Sequence, residues 1–358
     1  MPITRRISRI RGGALRVVAA LALIGGGAAP LAACAGDSGS ESRPTASGDV
    51  RRVKVALMAP GLTNDGSWNQ VAREAVERLE REGRIDVDIR ERMADPAVAE
   101  PVVREYATKG YDLIIGHGIE LLEPMLRVAK AFPQVRFAVA GGSDVLQKTT
   151  ANVEAWNFDF GQQGYLAGFI AGKIKGVQTV GLVSGPQIPP IMAIHSGFKA
   201  GLKDADPSRK WRETYTGSFD DVQKAVEATT GLIAQGAQIV FTTGDGIATG
   251  VASAAARHQP KALTIGVTGD AGGLAKQVNV ASVELDMYPV YKSYVDSVVS
   301  GSFGNKGYTS NLANRGLVLT PLSEGVTDPR VPTDLQAQVD KLVADLASGA
   351  RKLPSFAP

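Results

Sequence analysis

An α/β protein of two doubly wound lobes joined by a hinge is what the sequence predicts beyond residue 50. Short apolar runs alternate there with amphipathic stretches. More than ten such elements follow one another with no long insertion between them. The segments directly after the apolar runs are rich in Gly, Asp, Asn and aromatic residues. Near-continuous Val/Ile/Leu/Ala runs suit parallel strands covered on both faces, and repeated strand–helix units are joined by right-handed crossovers.

Taken in order, the strand over Val53–Ala59 precedes a helical pattern over Val71–Glu82. Ile85–Ile89 precedes Ala97–Thr108, and two further apolar runs follow at Leu113–Ile115 and Arg136–Ala140. A strand over 152–157 leads to a helix over Gln162–Ile174. The second lobe alternates Thr179–Val183, Asp221–Gln235, Ile239–Thr242, Gly246–Arg257 and Leu263–Val267. In the run from Asp221 to Ala228 an acidic start precedes apolar residues at helical spacing, which marks a helix N-terminus. The expected division is lobe 1 over 51–157 with a return segment over 285–320, and lobe 2 over 158–284. Residues 321–358 form a C-terminal extension. There Pro321, Pro329 and Pro332 give an irregular lead-in to a helical pattern over Leu335–Leu346.

The first 33 residues read as a secretory signal. Arg5, Arg6, Arg9 and Arg11 come first, then an apolar stretch from Ala14 to Ile24, then Leu31-Ala32-Ala33-Cys34. The apolar run is too short to span a bilayer and is interrupted by Gly25, Gly26 and Gly27. Leu-Ala-Ala-Cys resembles the bacterial lipobox, in which the cysteine thiol takes a diacylglyceryl group and becomes the new N-terminus. Cys34 is the sole cysteine, so no partner is left for a disulfide. The expectation is an exported protein, lipid-anchored at Cys34 to the outer face of the cell membrane. An ordinary cleaved signal with an incidental cysteine is the alternative. The Arg5–Arg6 pair raises twin-arginine export beside the general route, although the residues after the pair match that signal weakly. Residues 34–50 have almost nothing apolar to bury and read as a flexible tether.

Charge excludes one class of partner. The chain carries a formal +3, but five arginines and no acids precede Cys34, so the remainder is near −2. The basic balance belongs to the leader and gives no reason to expect nucleic acid. No His/Cys/Asp/Glu cluster has the spacing of metal ligands, and neither metal nor cofactor is expected. An enzyme is disfavoured on several grounds. Ala59-Pro60-Gly61-Leu62 stands where a Gly-x-Gly-x-x-Gly turn would follow the first strand. There is also no Walker loop, no Gly-x-Ser-x-Gly elbow and no cysteine nucleophile.

Ligands of open α/β sheets bind beyond the carboxyl ends of the strands, so two facing sets of post-strand loops make a cleft. In one of these loops, Thr63-Asn64-Asp65-Gly66-Ser67-Trp68-Asn69-Gln70 resembles the Asp-x-Ser-Phe-Asn-Gln signature of the basic membrane protein family. These are lipoprotein substrate-binding proteins of ABC importers for purine nucleosides and related compounds. The resemblance continues in order through Gly164-Tyr165-Leu166-Ala167-Gly168, Val180–Gly185, Ile188–Ile191, Tyr215–Asp220 and Gly236–Phe241 to Gly301-Ser302-Phe303. It implies a type I periplasmic-binding-protein fold with a hinged cleft, a small-molecule ligand and ABC permease subunits as partners.

A purine offers two flat π-faces and an edge of donors and acceptors, so its site needs aromatic clamps and polar side chains. The resemblance places Trp68 and Phe219 as the clamps, one from each lobe, with core packing as the other reading for each. Asn64, Asp65, Ser67 and Asn69 lie at a helix start, where the first three also suit capping. Asn69 suits edge recognition, because an amide pairs donor with acceptor. Asp220 reads first as the cap of the following helix, with ligand contact as the other reading. Asp245 lies between glycines that admit close approach of a ligand, and Asp270 follows a strand. His117 also lies between glycines after a strand, and Trp156 suits the hinge or the core. Three positions depart from the family pattern. Thr268 stands in place of an aspartate, Glu284 in place of a lysine, and Gly141 or Gly142 in place of another aspartate. Loss of that ribose clamp makes a nucleobase or another small cyclic polar ligand an alternative to a nucleoside. Glu284 with Asp270 would favour several N–H donors or a positive charge. A sugar-binding protein or a sensor on the same fold is the remaining alternative.

Overall fold

The computed structural model describes residues 51–244, 246–267, 275–320, 322 and 326–356. The leader, Cys34 and the tether lie outside the described residues, as do Asp245, Thr268 and Asp270.

Among the described residues, twelve strands form two sheets. The first holds β1 (Val53–Met58), β2 (Ile85–Arg90), β3 (Leu113–Gly116), β4 (Arg136–Ala140), β5 (Val153–Phe158) and β11 (Gly307–Ser310). Their order is β11-β5-β4-β3-β1-β2, and every pair is parallel. The second holds β6 (Thr179–Ser184), β7 (Lys210–Tyr215), β8 (Ala237–Thr243), β9 (Leu263–Val267), β10 (Asn279–Leu285) and β12 (Leu317–Leu319). Their order is β12-β10-β9-β8-β6-β7, parallel except for β12, which runs antiparallel to β10. Each sheet therefore has a point where consecutive units wind off in opposite directions, between β1 and β3 and between β6 and β8. Such switch points open the crevice in which doubly wound sheets bind ligands.

Helices cover both sheets: α1 (Trp68–Arg81), α2 (Pro96–Thr108), α3 (Leu122–Ala131), α4 (Phe160–Lys173), α5 (Pro189–Ala205), α6 (Val222–Ala234), α7 (Gly246–Arg257), α8 (Tyr288–Val299) and α9 (Leu335–Ala347). Burial on both faces explains the apolar runs, since Leu113, Ile114 and Ile115 of β3 and Phe137, Ala138 and Val139 of β4 are all buried. The closest helix pair is α4 with α5. A Cβ on Gly164 would lie 1.9 Å from the Ile194 carbonyl oxygen, and one on Gly168 would lie 2.0 Å from that of Phe198. Only glycine allows this approach. α9 buries Leu335, Val339, Leu342 and Leu346 and packs on α4.

The chain passes between the sheets after β5, after β10 and after β11. These passages are tied together. Asp159 N–H donates to the Ser310 carbonyl over 2.9 Å, Leu312 N–H to Gln162 Oε1 over 2.7 Å, and Gln163 Nε2 to the Val283 carbonyl over 2.9 Å.

Two local expectations are corrected. The cap of α6 is Asp221, whose carboxylate accepts from Lys224 N–H over 3.0 Å, and Asp220 sits one residue too early. β7 was not expected as a strand. It is an edge strand with no buried residue, so it has no continuous apolar run to mark it.

Candidate functional site

Where the switch points of the two sheets face each other lies a cavity of about 180 Å³. The first sheet contributes Pro60, Gly61, Trp68 and Asn69 after β1, and Gly118, Ile119 and Glu120 after β3. The second contributes Ile188, Pro190 and Ile191 after β6, Phe219 and Asp220 after β7, and Thr243 and Gly244 at the end of β8. Trp156, Phe158, Phe160 and Gln163, around the first passage between sheets, also line it. Apolar and aromatic surface with a few polar groups is the usual make-up of a small-molecule site.

Of the residues singled out from the sequence, Trp68, Asn69, Trp156, Phe219 and Asp220 line this cavity. Trp68 begins α1 and stacks on His117 with ring centroids 4.2 Å apart. His117 is buried against Trp68 on one side and Tyr291 on the other, and burial holds its pKa down to about 4. It backs the indole and does not itself line the cavity. Phe219 lies on backbone that has no side chain to obstruct it. A Cβ on Gly185 would come within 2.4 Å of its ring, and one on Gly244 within 3.5 Å. Gly244 also has φ of +154°, which disfavours any side chain there.

The start of α1 is organised by Asp65. Its Oδ1 accepts from Ser67 N–H (2.8 Å) and Gln70 N–H (3.0 Å), and its Oδ2 accepts from Asn69 N–H (3.0 Å) and Asn69 Nδ2 (2.7 Å). The Asn69 Oδ1 in turn accepts from Gly61 N–H over 3.0 Å. Both ends of the Asn69 amide therefore hold the loop, although the residue lines the cavity. Asn64 is exposed, Ser67 is buried, and neither is among the lining residues. Glu284 lies on β10 opposite Val318 and is likewise not part of the lining. Asp245 and Asp270 are not among the described residues.

Behind Thr243 runs a buried polar chain. Thr243 Oγ1 donates to Ser184 Oγ (2.6 Å), Ser184 Oγ pairs with His195 Nε2 (2.6 Å), and His195 Nδ1 pairs with Glu213 Oε2 (3.1 Å). Glu213 also pairs with Lys199, and the contact with His195, followed by that with Lys199, holds its pKa down to about 2. The order is that of a hydrolytic relay. The Ser184 hydroxyl, however, is fully buried and engaged on both sides, which suits packing of the β6–β8 wall.

Trp156 was weighed from the sequence mainly as core, and the polar lining residues Glu120 and Gln163 were not singled out at all. Trp156 is buried with its Nε1 donating to Ser310 Oγ over 2.7 Å, so it serves both core and cavity. Glu120 lies in a short 3-10 turn after Gly118, past the post-strand glycines that drew attention. Gln163 stands beside Gln162 in the first turn of a helix that is mostly apolar beyond it. Among the described residues no group of three or more His, Cys, Asp or Glu side chains is arranged to hold a metal ion, and no helix is long and apolar enough to cross a membrane.

Comparison with known proteins adds a family. The profile described as ABC transporter substrate-binding protein PnrA-like matches residues 52–342. The chain is similar to a nucleoside-binding protein of an ABC transporter from Lactococcus lactis, at 27% identity over 95% of this chain and 99% of the relative. It is similar to a purine-binding protein of Brucella abortus at 24% identity, covering 83% and 82% of the two chains. Among solved structures, a solute-binding protein of an ABC transporter system from Conexibacter woesei superposes with a TM-score of 0.74. The two are 48% identical, and the match covers 86% of this chain and 100% of that one.

Proposed function

The chain belongs to the PnrA-like family of ABC transporter substrate-binding proteins, and from that premise we propose that it captures a purine nucleoside or nucleobase and delivers it to a membrane permease. The observation that carries this reading is the placement of Trp68 and Phe219, which reach one cavity from opposite sheets. A planar ring between them stacks on both, and its contacts with both sheets favour the closed arrangement over an open one. In this reading Trp68 and Phe219 are the clamp, His117 backs the clamp, and Asp65 with Asn69 shapes the loop that presents it. Asp245 and Asp270 are assigned to ligand by their sequence positions alone. The nucleoside- and purine-binding relatives support the ligand class.

The proposed location is the outer face of the cell membrane, held by a diacylglyceryl group on Cys34. Two or more acyl chains anchor stably at roughly 0.8 kcal/mol per buried methylene. ATP is consumed by other subunits of the importer, and this chain performs no chemistry on its ligand.

A thermal-shift screen over purine bases, nucleosides, pyrimidines and sugars tests the ligand class, because a compound that binds only the folded state raises the midpoint. Shifts confined to purines and their nucleosides are expected. A shift with sugars and none with purines would replace the proposed ligand and leave the family standing.

A further inference from the structure

The polar lining of the cavity is one-sided. Among the described residues no Lys, Arg or His side chain lines it. Gln163 is fully buried, and the bond from its Nε2 to the Val283 carbonyl fixes the amide so that Oε1 has no partner. A buried acceptor left unpaired costs about 1–3 kcal/mol, which a ligand N–H would recover once a small adjustment on binding opens Oε1 to the cavity. Glu120, from the turn after β3, and Asp220, from the loop after β7, add one carboxylate from each sheet. Neither forms an ion pair with a described residue. Burial and then the charge of Asp220 raise the pKa of Glu120. Two like charges on opposite walls resist approach of the sheets unless something positive or donor-rich lies between them.

We propose that this lining selects ligands whose edge carries several N–H donors or a positive charge, with Gln163 Oε1, Glu120 and Asp220 as the specificity-determining acceptors. Amino-substituted purines and their nucleosides fit this description. Xanthine and urate fit it less well, since oxo acceptors flank their ring N–H donors and would face the carboxylates, and nucleotides are excluded by their anionic phosphates. This inference deepens the purine reading above and rests on it. Acceptors and carboxylates on the cavity wall suit N–H donors of a base edge, so base-edge chemistry and not the sugar is predicted to dominate discrimination.

Isothermal titration of the purified protein with matched pairs provides the test: 2,6-diaminopurine against xanthine, and adenosine against inosine. The wild type is expected to bind the amino member of each pair about tenfold more tightly or better, the scale of one satisfied against one unsatisfied buried group. Combined Glu120→Gln and Asp220→Asn substitutions keep shape and add donors, so the preference should fall to about threefold or less. Gln163→Met removes the orphan acceptor at similar length and should also narrow it. Circular dichroism confirms that each variant is folded. Equal affinities in the wild type, preference for xanthine, or a double variant that folds and keeps the full preference would overturn the inference. If no purine binds at all, the purine reading fails separately. The inference is then decided with glucosamine, glucose and glucuronate: preference for the amine supports it, and indifference or preference for either other compound overturns it.

Discussion

The imidazole of His117 lies against the indole of Trp68 with planes 26° from parallel, and its Nε2–H donates to the carbonyl of the same tryptophan over 2.9 Å. The hydroxyl of Tyr291, on α8, donates to the other ring nitrogen over 2.8 Å. Both bonds are satisfied by one neutral tautomer, with the proton on Nε2. An aromatic residue in the first loop is thus fixed from behind by a distant helix, Tyr291 being 174 residues beyond His117.

This arrangement predicts an acid-sensitive fold. The folded-state pKa of His117 is lowered from 6.5 to about 4 by burial. Between those values the unfolded chain binds the proton and the folded chain does not, so stability falls as pH drops. Above pH 6.5 the contribution is fully present, and below about pH 4 it is gone, a loss on the order of 3 kcal/mol. Urea unfolding between pH 7 and pH 4 should show this slope, and His117→Asn should flatten it. Equal slopes in the two proteins would show that another group is responsible.

Gly185→Ala should disturb the second clamp. The new Cβ would stand 2.4 Å from the Phe219 ring, so the ring must shift toward the cavity. Overpacking of this kind costs about 1–3 kcal/mol of stability. Purine affinity should fall more steeply than the melting midpoint, which titration and thermal melts on one preparation will compare. A variant with normal affinity would remove Phe219 from the clamp.

Asp65→Ala should weaken the start of α1 without touching ligand directly. It removes four hydrogen bonds accepted by one carboxylate, two from Ser67 and Gln70 and two from Asn69. Loss of a capping side chain costs about 0.5–2 kcal/mol. Hydrogen exchange should rise over residues 66–70, and affinity should fall modestly because Trp68 is held less firmly. Unchanged exchange there would mean that the loop is fixed by Glu91, which accepts from Thr63 N–H over 2.8 Å.

Much of the architecture was legible in the sequence because the central strands are buried on both faces. Arg136–Ala140 and Leu263–Val267 match the expected bounds for that reason. β7 was not legible, since an edge strand that buries no residue has no such run. The family resemblance, supported by their place in loops after strands, led to Trp68 and Phe219. Glu120 and Gln163 were missed because a place on the cavity wall is a property of packing and not of spacing. Asn69 illustrates the same limit: its residue type suited edge recognition, while the fold engages both ends of its amide with Gly61 and Asp65.

The most direct measurement is calorimetric titration of adenosine and 2,6-diaminopurine into the wild type and into Trp68→Ala. The capture reading predicts saturable binding at one site per chain. Loss of the indole should weaken it roughly tenfold to a hundredfold, as expected from about 1–3 kcal/mol of stacking per base. No purine binding to the wild type, or equal affinity in the folded Trp68→Ala variant, would contradict it.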